Sequence, residues 1–201
     1  MRVLAALVAL LVAAEAGEIS APPPPRTTVY FKFEGPSSPA VYDSMKQEMN
    51  ALFLKTALAF EWKRLEEASE FESVPNLVVV RFRGDCRMTH PHPPIDERGV
   101  FAWTAVTDGV VLPFSTVDCD RVRNAVSTAM WGADRPRDAQ LMGRALARIV
   151  AHELFHLFTN SRDHGERGVA RHALTGAELI ADGTSFHPED LHRLPGAPAN
   201  R

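Results

Sequence analysis

His152-Glu153-Leu154-Phe155-His156 is the stretch whose residue types and spacing could do chemistry. Helical periodicity brings residues i and i+4 to one face, so His152 and His156 project side by side with Glu153 at their flank. Two neutral imidazoles one turn apart can bind one metal ion, and the carboxylate beside the first can take a proton from a water activated there. From Ala145 to Phe158 the remaining positions are mostly apolar, Leu146, Ile149, Val150, Leu154 and Phe155 among them, and such a helix is expected to be buried. A buried helix must satisfy its polar side chains, and one cation satisfies all three at once. The competing reading bonds both imidazoles to core groups, with Arg144 and Arg148 marking a solvated row.

A catalytic zinc takes three protein ligands and leaves a fourth position for water, so two histidines are insufficient. His164 is the first candidate for the third. Asn160 suits a left-handed helix C-cap, and the four residues after it reach on the order of 13 Å, enough to return His164 to the metal. Gly165 and Gly168 would let the chain bend close to the ion. Glu178 competes for the role, four residues before Asp182. Yet Thr175-Gly176-Ala177-Glu178 also reads as a capping box of a short helix, which accounts for Glu178 without metal. His172, His187 and Asp163 remain open as further alternatives.

The elements that must position these residues follow from pattern. Thr28 to Phe33 is β-branched and aromatic, a first strand. Val41, Met45, Met49, Leu52 and Phe53 repeat at helical spacing, predicting a helix that runs to about Phe60. Phe60 to Leu65 alternates as a strand, and Leu77 to Phe82 reads as a covered central strand. Met88 to Gly99, with His90 and His92, reads as a loop. Phe101–Val106, Asp108-Gly109 and Val110–Pro113 form strand, tight turn and strand, a hairpin at the sheet edge, where Pro113 is tolerated. Ser115 to Asp118 is expected to open a capped helix carrying Val122, Ala125, Val126 and Met130. Asp138 is expected to cap the long helix that carries the histidines. The element order predicts an α+β fold in a single domain.

Met1-Arg2, an apolar run from Val3 and Ala14-Glu15-Ala16 form the pattern of a signal peptide over residues 1–16. A Pro-rich spacer over 17–27, a domain over 28–186 and a flexible tail over 187–201 complete the expected layout. The apolar run is too short to span a bilayer comfortably. Export to a secreted or periplasmic location favours a disulfide between Cys86 and Cys119, the two cysteines of the chain, over two free thiols. A formal charge of −3 with no Lys/Arg run argues against nucleic acid and anionic membrane as partners. A monomer acting on a peptide or protein substrate is expected.

The set His152-Glu153-x-x-His156, His164-Gly165 and Gly168-Val169 resembles the zincin metalloproteases, and within them the metzincin-like group. Metzincins place the third His six residues after the second, whereas here the interval is eight. The likeness is nearer to short secreted bacterial zinc peptidases with a late third His, and it extends over Asp108-Gly109, Leu112-Pro113-Phe114 and Val117 to Asp120. Ala170 stands where a Met-turn methionine would lie. The resemblance implies a zincin-like single domain, a mixed sheet packed on a long metal-binding helix. It also implies a Zn2+ cofactor and hydrolysis of peptide bonds with Glu153 as general base, the substrate lying along the hairpin edge. A glutamate such as Glu178 supplies the third ligand in thermolysin-like enzymes. The alternative is a zinc-binding, inactive protease-like module that binds a peptide or protein.

Overall fold

The computed structural model describes residues 26–70, 73–88 and 99–195, so the expected signal segment, most of the spacer, and His90 and His92 lie outside the described residues. Its chain order is β1 (Arg26–Phe33), α1 (Pro39–Phe53), β2 (Ala59–Arg64), β3 (Leu77–Arg83), β4 (Ala102–Thr107), β5 (Val110–Asp118) and α2 (Cys119–Ala129). Then follow α3 (Asp138–Thr159), α4 (Gly176–Ile180) and α5 (Pro188–Arg193). The strands form one mixed sheet in the order β2-β1-β3-β5-β4, parallel except for β4, which runs antiparallel to β5 along the edge. The α/β domain packs α1 and α3 against each other, and Met45, Met49, Leu146, Leu154 and Phe155 are fully buried in the shared core with Phe31 and Phe82 of the sheet. Among the described residues no helix is long and apolar enough to cross a membrane.

Several boundaries differ from expectation for local reasons. α1 ends at Phe53 rather than near Phe60, because Thr56 folds back, its N–H and hydroxyl both donating to the Phe53 carbonyl at 2.9 and 2.7 Å. The apolar series continues past it because Leu58 and Phe60 join the core from β2 and its approach. Ser115 and Thr116 do not open α2; they pair with both β3 and β4, and Asp118 alone caps α2 by accepting the Arg121 N–H at 3.1 Å. Asp138 is the first residue of α3 rather than its cap, which is Arg137 without a side-chain bond. The segment from 187 is not a loose tail as far as Pro195: Pro188 starts α5, Glu189 and Asp190 sit in its first turn, His192 and Arg193 in its last, and Leu194 is buried. That charge order complements the helix dipole, a local signal hidden by the Pro, Gly and Ala content of the whole tail.

Arg144 and Arg148 do not form a solvated row. Arg148 is 1% exposed, donates to Glu48 of α1 at 2.9 Å and gives two more hydrogen bonds to the Glu178 and Leu179 carbonyls. Arg144 reaches Asp182 at 2.7 Å and the Ile180 carbonyl at 2.8 Å. The two guanidiniums thus tie α1 and the α4 region to α3. Glu48→Ala leaves the Arg148 cation buried without its counter-charge and is expected to destabilise the fold by about 3 kcal/mol, since two carbonyls remain to it. Urea unfolding checks this; a loss below about 1 kcal/mol would show that the pair contributes no more than a surface one.

Cys86 and Cys119 are joined, with an S–S distance of 2.01 Å. The bridge links the end of β3 to the start of α2, and it closes a loop that contains the β4–β5 hairpin. Asp108 and Gly109 turn the hairpin with φ of 49° and 77°. Successive positive φ values are what a two-residue primed turn demands, as Asp-Gly promises.

Candidate metal centre

α3 presents His152 and His156 one turn apart, as helical spacing requires. Asn160 ends the helix in the left-handed conformation, φ 43° and ψ 43°, and the Ser161 N–H closes back on the His156 carbonyl at 3.2 Å. The cap has a second function: the Asn160 side-chain oxygen accepts the Val111 N–H at 3.1 Å, pinning the hairpin to the end of α3. The reversed chain brings His164 back, with its ring centroid 5.2 Å from that of His152 and 4.8 Å from that of His156. One ligand atom from each of His152, His156 and His164 lies within 4.8 Å of the others.

The tautomers of the first pair follow from their partners. His152 Nδ1 lies 2.8 Å from the Val169 carbonyl and His156 Nδ1 2.8 Å from the Ser161 carbonyl. A carbonyl only accepts, so both Nδ1 atoms carry hydrogen, and in the neutral rings both Nε2 atoms carry lone pairs. Those Nε2 atoms face each other at 3.1 Å. Two lone pairs cannot bond to each other, whereas a cation between them would satisfy both. An added proton is a poor substitute, because burial holds His152 down to about 4 and lowers His156, with the carbonyl bonds opposing. Tetrahedral zinc at its usual nitrogen distance places two ligand nitrogens about 3.3 Å apart, close to the observed separation. The donor set fits a borderline divalent ion such as zinc.

The segment after His164 supports this arrangement through its backbone. Gly168 takes φ of +66°, which turns the chain so that the Val169 carbonyl meets His152. Gly165 is needed for close approach instead: a Cβ there would lie 2.3 Å from the Asp190 carboxylate of α5. Ala170, at the expected methionine position, is fully buried and accepts the Gly165 N–H at 2.8 Å.

The other candidate ligands are placed elsewhere. Glu178 accepts from the Thr175 N–H and hydroxyl, both at 2.8 Å, and pairs with Arg171 at 2.5 Å, so its carboxylate is occupied by the capping box and by a cation. These donors hold it below the usual carboxylate range. Asp163 accepts the Ser161 hydroxyl at 2.9 Å, and His187 lies 3.8 Å from Glu189 at the start of α5. His172 stacks edge-on against His164, centroids 4.6 Å apart, outside the three-ligand cluster.

Glu153 is 6% exposed, and burial pushes its carboxyl up to about 7 against the opposing hydrogen bond from Thr104. That bond runs from Thr104 Oγ1 to Glu153 Oε2 at 2.5 Å, and Ser115 Oγ lies 2.8 Å behind Thr104. Neither hydroxyl stands out in the sequence. A regular hairpin extended from the Thr107–Val110 and Val106–Val111 pairs would put Pro113 opposite Thr104; a register shift puts Ser115 there. The histidines and Glu153 border a cavity of about 550 Å³ whose lining also includes residues of β4, Leu174 and the two cations Arg162 and Arg171.

No family model matches the chain, and no curated protein matches it. Among solved structures, the archaemetzincin of Methanopyrus kandleri is similar with a TM-score of 0.49 at 10% identity, over 84% of this chain and 93% of that one. At this score and identity the likeness establishes neither fold family nor activity.

Proposed function

We propose that this protein is a secreted, zincin-like zinc metallopeptidase. The observation that carries the proposal is the facing pair of His152 and His156 Nε2 atoms, each with its Nδ1 committed to a carbonyl and with His164 completing three ligands. His152, His156 and His164 would hold the zinc, which would supply Lewis acidity toward a water and a carbonyl oxygen. Glu153, beside the ligand pair and largely withdrawn from solvent, accepts the proton of the attacking water and delivers it to the departing amine. Among the described residues β4 is the edge strand of the sheet, and it borders the same cavity, so an extended peptide adds to the sheet there, its backbone bonds supplying register and its side chains entering the cavity. Secretion is supported by the signal pattern of residues 1–16 and by the Cys86–Cys119 bridge, which suits an oxidising compartment.

The reading is tested with the purified protein and a mixed peptide library. Cleavage is expected, is abolished by a zinc chelator, and returns with one equivalent of zinc. A protein that binds one zinc but cleaves nothing in the library belongs to the second reading, a peptide-binding module without activity.

A further inference from the structure

The geometry points to Thr104, backed by Ser115, as the positioning residue of Glu153: a two-hydroxyl relay that reserves one carboxylate oxygen for the protein and leaves the other for the reaction. This role rests on the peptidase reading above.

With Glu153 ionised, the form that takes the proton of the attacking water, the relay has one direction. An ionised carboxylate accepts and never donates, so the single Thr104 hydrogen goes to Glu153 Oε2. Ser115 must then donate to Thr104, across 2.8 Å. Among the described residues no other side chain donates to Glu153, so Oε1 is the oxygen left to exchange a proton at the cavity that Glu153 borders. When Oε1 is protonated, Oε2 still accepts from Thr104, and the relay does not have to rearrange during turnover.

The scaffold is built to hold these hydroxyls. Ser115 is 3% exposed in β5, between β3 and β4, and is the registered partner of Thr104. The pairing exists because the strands slip by two residues between Thr104 and Val106, with Leu112, Pro113 and Phe114 opposite Ala105. Pro113, which lacks a hydrogen to donate to a ladder, sits within that slip. The Asn160–Val111 bond fixes the hairpin relative to α3 on the near side of it. Helix, hairpin and slip therefore converge on one oxygen. A hydroxyl that merely satisfied a buried carboxylate would give the same static picture, and the difference lies in turnover.

The test combines kinetics with a readout taken without metal. Thr104→Val is expected to lower kcat about 30-fold, the loss of a hydrogen bond to a charged group, with KM and zinc affinity within about twofold of wild type. Thr104→Ser is expected to recover kcat to within about threefold, and Ser115→Ala to lower it about threefold. Should Thr104→Val not fold, Thr104→Ala carries the same expectation. In the metal-free protein, a double-mutant cycle of Thr104→Val with Glu153→Leu is expected to show coupling of about tenfold in the folding equilibrium. A kcat within twofold of wild type in Thr104→Val, failure of Thr104→Ser to recover it, or an additive cycle each overturns the role while leaving the peptidase reading intact. Wild-type protein that holds zinc and cleaves nothing overturns both together.

Discussion

Glu153→Gln is expected to lower peptide cleavage by about 10³-fold while the protein still binds one zinc, because the change removes the proton acceptor and none of the three imidazoles. The magnitude follows from what general acid–base catalysis by a placed carboxylate contributes. Gln keeps the size of the side chain and can still accept from the Thr104 hydroxyl, so the fold and the cavity wall remain. A second effect, on stability, has the opposite sign. Burial raises the folded-state pKa of Glu153 from 4.5 to about 7, so in metal-free protein the native state holds a proton that the unfolded chain has released. Such a group contributes stability that is fully present below about pH 4.5 and is lost as pH rises through about 7. At pH 8 the native protein must keep a buried, ionised carboxylate. The metal-free Glu153→Gln protein, relieved of that, is expected to gain on the order of 2–3 kcal/mol over wild type at pH 8 compared with pH 5. His152 works in the other direction: its folded pKa is depressed to about 4, so its contribution is present above 6.5 and is lost as pH falls toward 4. It is common to both proteins and cancels in the comparison. Urea unfolding in the presence of chelator at the two pH values checks the prediction, and an unchanged difference between them would show that Glu153 ionises without penalty.

The second large effect concerns the ligands. His152→Ala, His156→Ala and His164→Ala are each expected to weaken zinc binding by about 10³-fold or more, measured by competition with a chromogenic chelator, since each removes one of three protein donors. Glu178→Ala is expected to leave zinc affinity within about twofold. Its loss appears in stability instead, on the order of 1 kcal/mol, because the Thr175 capping box loses its reciprocal partner. The reverse pattern, with His164→Ala retaining full zinc occupancy and Glu178→Ala losing it, would overturn the ligand set. Zinc itself is expected to raise the melting temperature of the wild-type protein, as any ligand of the native state does, by about 4 kcal/mol of stability at a thousandfold excess over Kd. That gain should vanish in the three histidine variants and persist in Glu178→Ala.

What the chain determined by itself was local. The i, i+4 pair on α3, the left-handed turn at Asn160, the Asp108-Gly109 reversal and the Thr175–Glu178 box depend on residues within a few positions of one another, and steric and hydrogen-bonding preferences settle those without distant partners. The late position of His164 was legible for the same reason, because chain reach after a cap is a short-range quantity. Only the tertiary structure decided which competing use of a side chain prevailed. Arg148 looked like a solvated position and became a buried tie because Glu48 lies one hundred residues away in sequence and 2.9 Å away in space. Ser115 and Thr116 looked like a helix start and became the middle of a sheet, since pairing with β3 and β4 outweighs a local cap. For Glu178, which the sequence offers as metal ligand or as helix cap, the structure places the Thr175 N–H and the Arg171 guanidinium at its carboxylate. The Thr104–Ser115 relay lay beyond sequence reading altogether, because a slip of two residues between strands leaves no periodic trace in the chain.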